Sequence, residues 1–189
     1  MQVKTDVTRR EDVEQLVQRA EAECGAVDIL VNNAGVMLLS FLKNDHIEEW
    51  ERMVDVNIKG VLYGVHAVLP GMLKRGEGHI VNVSSVAGHE VFPSASVYCA
   101  TKYAVRALSM GIEKELAKSG VRVTNISPGA VATELTQHIT DQEVKEMFAQ
   151  QELKFLEPED IARAVAYAVT QPENVNVNEV IVRPTNKQG

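Results

Sequence analysis

Val27-Asp28-Ile29-Leu30-Val31-Asn32 runs directly into Asn33-Ala34-Gly35, and this junction decides the fold class. A short apolar run rich in β-branched residues and closed by a small-residue turn reads as a strand buried in a parallel sheet. The turn then lies at the carboxyl end of the strand, where open α/β sheets bind ligands. On the amino side, Val13, Leu16, Val17 and Ala20 form an apolar stripe at helical spacing, with Thr8 and Glu11 placed as a capping box and a stop near Gly25. On the carboxyl side the pattern predicts a long helix over 45–74, a strand over 79–84 and a helix over 98–118. Gly120 stops that helix, and a strand follows over 121–126. Helices over 141–151 and 158–170 then precede a last strand over 177–182. Strands alternating with helices predict an α/β fold with a parallel sheet. With no repeat and no linker-like stretch, residues 1–189 read as one domain.

Charge and composition exclude several functions. Nineteen Lys and Arg against 26 Asp and Glu give a net charge of −7, and nucleic-acid binding needs a concentrated basic face. No apolar run of about 18 residues is present. The longest candidate, 61–73, is broken by His66, Pro70 and Gly71, so no membrane partner is expected. The charged N-terminus does not read as a signal peptide, and Cys24 and Cys99 form no Cys-x-x-Cys pair, so a reducing, cytoplasmic setting is expected. The five histidines show no metal-ligand spacing, and no metal is assigned. His89 reads as a loop histidine in solvent or against a substrate, and Cys99 as a small helix-packing residue. The glycosylation patterns at Asn82 and Asn125 fall on strand ends and are discounted.

Chemistry concentrates in Ser84-Ser85-Val86-Ala87-Gly88 and Tyr98-Cys99-Ala100-Thr101-Lys102. Four residues apart on a helix, Tyr98 and Lys102 share one face. A nearby cation favours a phenolate, so Lys102 is expected to lower the Tyr98 pKa from its ordinary value near ~10. A hydroxyl close by then holds the reacting oxygen. Successive strand residues point to opposite faces, so only one of Ser84 and Ser85 serves, and Ser85 is preferred. Asn57 stands inside a helical pattern, where asparagine is a mediocre former; a local break relieved by Gly60 is the bland reading. Gly60 and Gly64 are spaced to permit close helix packing.

These residues resemble the working set of the short-chain dehydrogenase/reductase family, an Asn, a Ser, a Tyr and a Lys in that order. Asn33-Ala34-Gly35 is similar to the family's Asn-Ala-Gly turn, and Asn57, Ser85, Tyr98 and Lys102 match the four catalytic positions. The resemblance implies a Rossmann-like doubly wound sheet. It also implies hydride transfer between NADP or NAD, with NADP favoured, and a small-molecule carbonyl or secondary alcohol. Tyr98 is then the general acid and base, Lys102 tunes it and binds the nicotinamide ribose, Ser85 holds the substrate oxygen, and Asn57 holds a relay water. Asp6 and Val7 flank the adenine, although Asp6 also reads as a strand-end turn residue. Asn33, Ala34 and Gly35 approach the cofactor, and Pro128, Gly129, Val131 and Thr133 meet its nicotinamide and phosphate end. Residues 134–140 resemble the family's substrate lid, with Glu90, Val91 and Phe92 on the opposite wall. The lean is toward small hydroxy acids, aldehydes or ketones, and a homo-oligomer, dimer or tetramer, is implied.

Against that family pattern, no Gly-rich turn precedes Gly25, and residues 1–7 resemble the family's third strand. The first two strand–helix units are therefore expected to be missing, leaving residues 1–7 without a partner and baring one edge of the strand around Val31. A second reading follows, that of a catalytically silent remnant acting only as a binding or dimerising module.

Overall fold

The computed structural model describes residues 1–150 and 154–185. Four strands, β1 (Ile29–Asn32), β2 (Gly78–Val83), β3 (Val121–Pro128) and β4 (Glu179–Val182), pair in parallel in sequence order. Between and around them run α1 (Arg10–Cys24), α2 (Ile47–Val54), α3 (Gly60–Arg75), α4 (Ser96–Leu116), α5 (Gln142–Ala149) and α6 (Pro158–Val169). This is the parallel α/β architecture that the alternating pattern predicts. Parallel neighbours need a crossover longer than a hairpin, and the helices supply it.

The core explains why α3 and α4 lie where they do. Val61, Val65, Val68 and Met72 recur every three or four residues, which gathers them on one side of α3 against Ile80, Val105 and Val123. Each such side chain removed from water contributes roughly 1.5–3 kcal/mol. The helical stretch Ile47–Arg75 is long and apolar enough to cross a membrane, but its apolar stripe is spent on this core. Arg122 alternates to the other face of the sheet and donates to the carbonyls of Gln171 and Val175, just beyond α6. Helices therefore stand on both faces.

One row of polar side chains crosses the sheet beneath α3 and α4. Asn32, Asn82, Asn125 and Glu179 are successive register partners. Asn32 Nδ2 donates to Asn82 Oδ1 at 2.9 Å, Asn82 Nδ2 to Ser109 Oγ at 2.9 Å, and Asn125 Nδ2 to Glu179 Oε1 at 2.8 Å. The close approach permitted by Gly64 is made here: a Cβ on it would stand 2.3 Å from Asn32 Oδ1. Gly60 similarly faces the Val7 side chain. Both glycines admit other parts of the chain, not the neighbouring helix expected from their spacing.

Several boundaries differ from the sequence reading. Residues 1–6 form no strand, because no described strand lies beside them to complete a ladder. The α1 N-cap is Arg9, without a side-chain cap, and the Thr8 hydroxyl turns to Asp6 Oδ1 instead of closing a box with Glu11. Strand β1 begins at Ile29, and on its second face Ile29 and Val31 are 45% and 41% exposed. It is an edge strand, not the fully buried one its composition suggests. Gln151, the expected end of α5, lies outside the described residues.

Gly120 has φ +79°, and a Cβ there would meet the Gly76 carbonyl oxygen at 1.9 Å. Backbone cannot yield as a side-chain tip does, so Gly120→Ala is expected to destabilise the fold by roughly 2–4 kcal/mol. Gly111 in α4 has no neighbour within 4 Å of such a Cβ. Gly111→Ala should instead stabilise by about 0.5–1 kcal/mol. Paired thermal melts check both signs.

Candidate active site

Strand ends and one long helix assemble the site. Strand β2 ends at Val83, and the chain turns through a 3-10 segment, Val86–Gly88, capped by the Ser85 side chain, which accepts from the Ala87 N–H at 3.1 Å. Ser85 Oγ donates to the Pro128 carbonyl at 3.4 Å. Ser84 points the other way, buried, and donates to the Lys102 carbonyl at 2.8 Å. Gly88 allows this turn to press on α4, since a Cβ would stand 2.9 Å from the Lys102 carbonyl oxygen.

Tyr98 and Lys102 share a face of α4 and are 8% and 7% exposed. Lys102 Nζ lies 5.7 Å from the Tyr98 ring centroid and donates to the Val83 carbonyl at 3.1 Å. Burial dominates both titrations. It pushes Tyr98 up to about 12, with the Ser85 hydrogen bond opposing, and it pulls Lys102 down to about 8. The expected lowering of Tyr98 by Lys102 is therefore reversed in this state. Taking the ring out of water disfavours the phenolate, and this outweighs what favours it. Lys102 still carries its charge at neutral pH.

Asn57 sits in a π turn, Asp55–Lys59, between α2 and α3 and is 1% exposed. π turns inside helices are frequent at functional sites. Its Oδ1 accepts from the Val36 N–H at 2.9 Å, and its Nδ2 donates to the Val36 carbonyl at 2.9 Å and to Thr101 Oγ1 at 3.1 Å. Both amide donors are spent, so the side chain serves first as a brace for the turn after Asn33-Ala34-Gly35, and only one Oδ1 lone pair remains for a water. Thr101, which sequence reasoning passed over, completes the brace by donating to the Tyr98 carbonyl at 2.7 Å. Its place between Tyr98 and Lys102 was the available signal.

The residues expected around a dinucleotide divide into two groups. Asp6, Val7, Ala34 and Gly35 line one groove of about 540 Å³, together with Arg52, another residue the sequence did not single out. Within it Asp6 also performs the turn role, accepting from the Thr8 N–H at 3.0 Å and the Thr8 hydroxyl at 2.7 Å, and these bonds hold its carboxyl below the usual range. Asn33 is exposed at the carboxyl end of β1. Pro128 ends β3, Gly129 and Val131 follow it, and Thr133 stands at the N-cap of the 3-10 segment Glu134–His138 without a side-chain cap bond. Gly35 joins the groups: a Cβ on it would stand 3.6 Å from Lys102 Nζ and 3.5 Å from Asn57 Oδ1. The bare backbone leaves the ammonium reachable, and Lys102 has donors beyond the one used on Val83. A ribose diol is a fitting acceptor for them, so the residues present suit the nicotinamide-ribose end of a dinucleotide.

His89 is not a solvent histidine. Its Nε2 lies 3.0 Å from Ser127 Oγ and 3.4 Å from Glu179 Oε1, which fastens the loop after Ser85 to the sheet. Cys99 is buried in the packing, as expected. Among the described residues no cluster suits a metal ion.

A family model described as short chain dehydrogenase matches residues 1–144. An uncharacterized oxidoreductase of Staphylococcus saprophyticus is 50% identical over 186 residues, covering 97% of this chain and 76% of that protein. A solved serine dehydrogenase, in a closed form complexed with NADP+, superposes with a TM-score of 0.88 at 38% identity, covering 98% of this chain and 77% of the other. An alcohol dehydrogenase of the archaeon Thermococcus sibiricus, complexed with 5-hydroxy-NADP, gives 0.84 at 28% identity over 98% and 74%.

Proposed function

The chain belongs to the short-chain dehydrogenase/reductase family of oxidoreductases, and from that premise we propose that it reduces a small carbonyl compound, or oxidises the matching secondary alcohol, with NADP(H) as the favoured partner and NAD(H) as the alternative. When bound, the nicotinamide supplies or takes up the hydride. Tyr98 donates its phenolic proton to the carbonyl oxygen as the carbonyl carbon gains the hydride, and it accepts that proton back in oxidation. Ser85, just past the end of β2, holds the same oxygen, and its hydrogen-bonding group opposes the rise of the Tyr98 pKa. Lys102, charged and buried, binds the ribose hydroxyls and lowers the cost of the phenolate once the proton has left. Asn57 fixes the turn on which the dinucleotide rests, and its remaining Oδ1 lone pair is where a relay water would be held.

The observation carrying this reading is the pairing of Tyr98 and Lys102 on one buried face of α4, with Nζ 5.7 Å from the ring and 3.6 Å from where a Cβ on Gly35 would stand. A phenol pushed up to about 12 is fully protonated at neutral pH, which suits the proton-donating, reductive direction. Serine as the named substrate of one neighbour supports a hydroxy acid or its oxo partner as the substrate class. Exposed Leu62 on α3 and Tyr103 and Met110 on α4 support pairing of these helices in a homo-oligomer.

NADPH and NADH titrations followed by cofactor fluorescence test the proposal, combined with a panel of hydroxy acids, simple secondary alcohols and their oxo partners. Saturable binding and turnover of one substrate class are expected. No binding at millimolar cofactor would sink the enzyme reading. Binding without turnover would favour the binding module instead.

A further inference from the structure

After β3 the chain leaves the Ser85 end of the site and returns to the Tyr98 end, and both landings are firmly held. At the first, the Gly129 N–H donates to the Val182 carbonyl at 2.7 Å, and Val131 forms a bridge with Leu156, flanked by Ala132 N–H to Leu156 O and Leu156 N–H to Ala130 O, both 2.8 Å. At the second, Ile139 is 3% exposed and packs in one apolar cluster with Tyr98, Ala87 and Leu39. Between them, Thr133, Glu134, Thr136, Gln137 and His138 are exposed.

What fastens the second landing is a buried carboxylate. Asp141, 2% exposed, accepts at Oδ2 from Asn44 Nδ2 at 2.8 Å and the Phe41 N–H at 3.2 Å, and at Oδ1 from the Val144 N–H at 3.1 Å, which caps α5. His46 Nε2 lies 3.8 Å from the same Oδ2. Neighbouring links run in parallel: the Thr140 hydroxyl donates to Glu49 Oε1, and Lys43 pairs with Glu143 at 2.9 Å. Burial alone would raise the Asp141 pKa, but its donors outweigh this and hold it below the ordinary range. A desolvated carboxylate with this many donors is costly to unpair on either side.

We propose that Asp141 is a positioning residue, whose carboxylate latches residues 133–140 as a strap from the Ser85 end of the site to the Tyr98 end, holding them over bound substrate. The segment's place as a substrate cover rests on the reductase reading, whereas the latch itself does not. With Asp141 bound to the 41–44 loop, Ile139 stays against the Tyr98 cluster and the exposed residues span the mouth. Without it, Phe41 N–H and Asn44 lose a shared acceptor, α5 loses its cap, and the second landing keeps only the Ile139 packing and the exposed Thr140–Glu49 and Lys43–Glu143 links.

Hydrogen exchange on the whole chain, without cofactor or substrate, separates the latch from the enzyme. In Asp141→Asn, and in the milder Asn44→Ala, exchange over 132–140 should accelerate about tenfold or more while β2, β3 and α4 keep their protection; tenfold corresponds to ~1.4 kcal/mol. Asp141→Glu should restore part of it. On a substrate found in the panel, Asp141→Asn should raise KM about tenfold with kcat within about threefold. Unchanged exchange in both variants overturns the proposal, as does acceleration spread evenly over the chain. A local change in exchange in a protein with no turnover would count against the reductase reading and leave the latch standing.

Discussion

Tyr98→Phe is expected to lower turnover by about three orders of magnitude or more, within the range for loss of a general acid, while NADPH affinity stays within about threefold. The substitution removes one oxygen and little else. The ring keeps its place among Leu39, Ala87, Ala95 and Ile139. Lys102 retains its bond to the Val83 carbonyl and thus its reach to a ribose. Steady-state rates beside a cofactor titration make the measurement, and residual turnover above a tenth of the parent value would remove Tyr98 from the proton-donor role.

Lys102→Met is expected to move activity and stability in opposite directions. Turnover should fall by roughly 10²–10⁴-fold and cofactor affinity by about tenfold, since the ammonium serves both. The fold should nonetheless become more stable at pH 7, by roughly 1–2 kcal/mol after allowing for the lost bond to Val83. Burial lowers Lys102 to about 8 from an ordinary 10.5, so between those values the unfolded chain binds the extra proton. Parent stability should therefore rise with pH across that window, and the variant should lack the rise. Tyr98 acts with the opposite sign higher up. Its folded value near 12 exceeds the ordinary 10.0, so its contribution is complete below pH 10 and lost toward pH 12. Denaturant melts at pH 7, 9 and 10.5 check both signs, and a variant less stable than the parent at pH 7 would contradict the burial argument.

The legible parts of this protein are those fixed by short-range pattern. Helical pattern located the stretch over 45–74, which the structure divides into α2, a π turn and α3, and the Tyr98–Lys102 interval placed both side chains on one face, because helix geometry alone decides such matters. Strand alternation separated Ser84 from Ser85 for the same reason. Misread features depend on distant partners. Residues 1–7 have a strand-like composition, but a ladder needs a neighbour. The Tyr98 pKa followed from its neighbour Lys102 on paper, whereas in the fold it is set by desolvation, with Leu39 and Ile139 packed around the ring. Nothing near Asn57 announces that both its amide donors go to Val36 and Thr101, and nothing near Asp141 announces its burial against the 41–44 loop.

The polar row from Asn32 through Asn82 and Asn125 to Glu179 bears on how the chain finds its native pairing. A parallel sheet of Val- and Ile-rich strands has few intrinsic means of telling one alignment from the next, and a slip of one residue exchanges its two faces. In this sheet such a slip would bring amides and a carboxylate against aliphatic side chains, without the acceptors and donors that α4 provides. Misaligned intermediates are thereby raised in energy, and the search for the native alignment is narrowed during the slow assembly typical of non-local sheets.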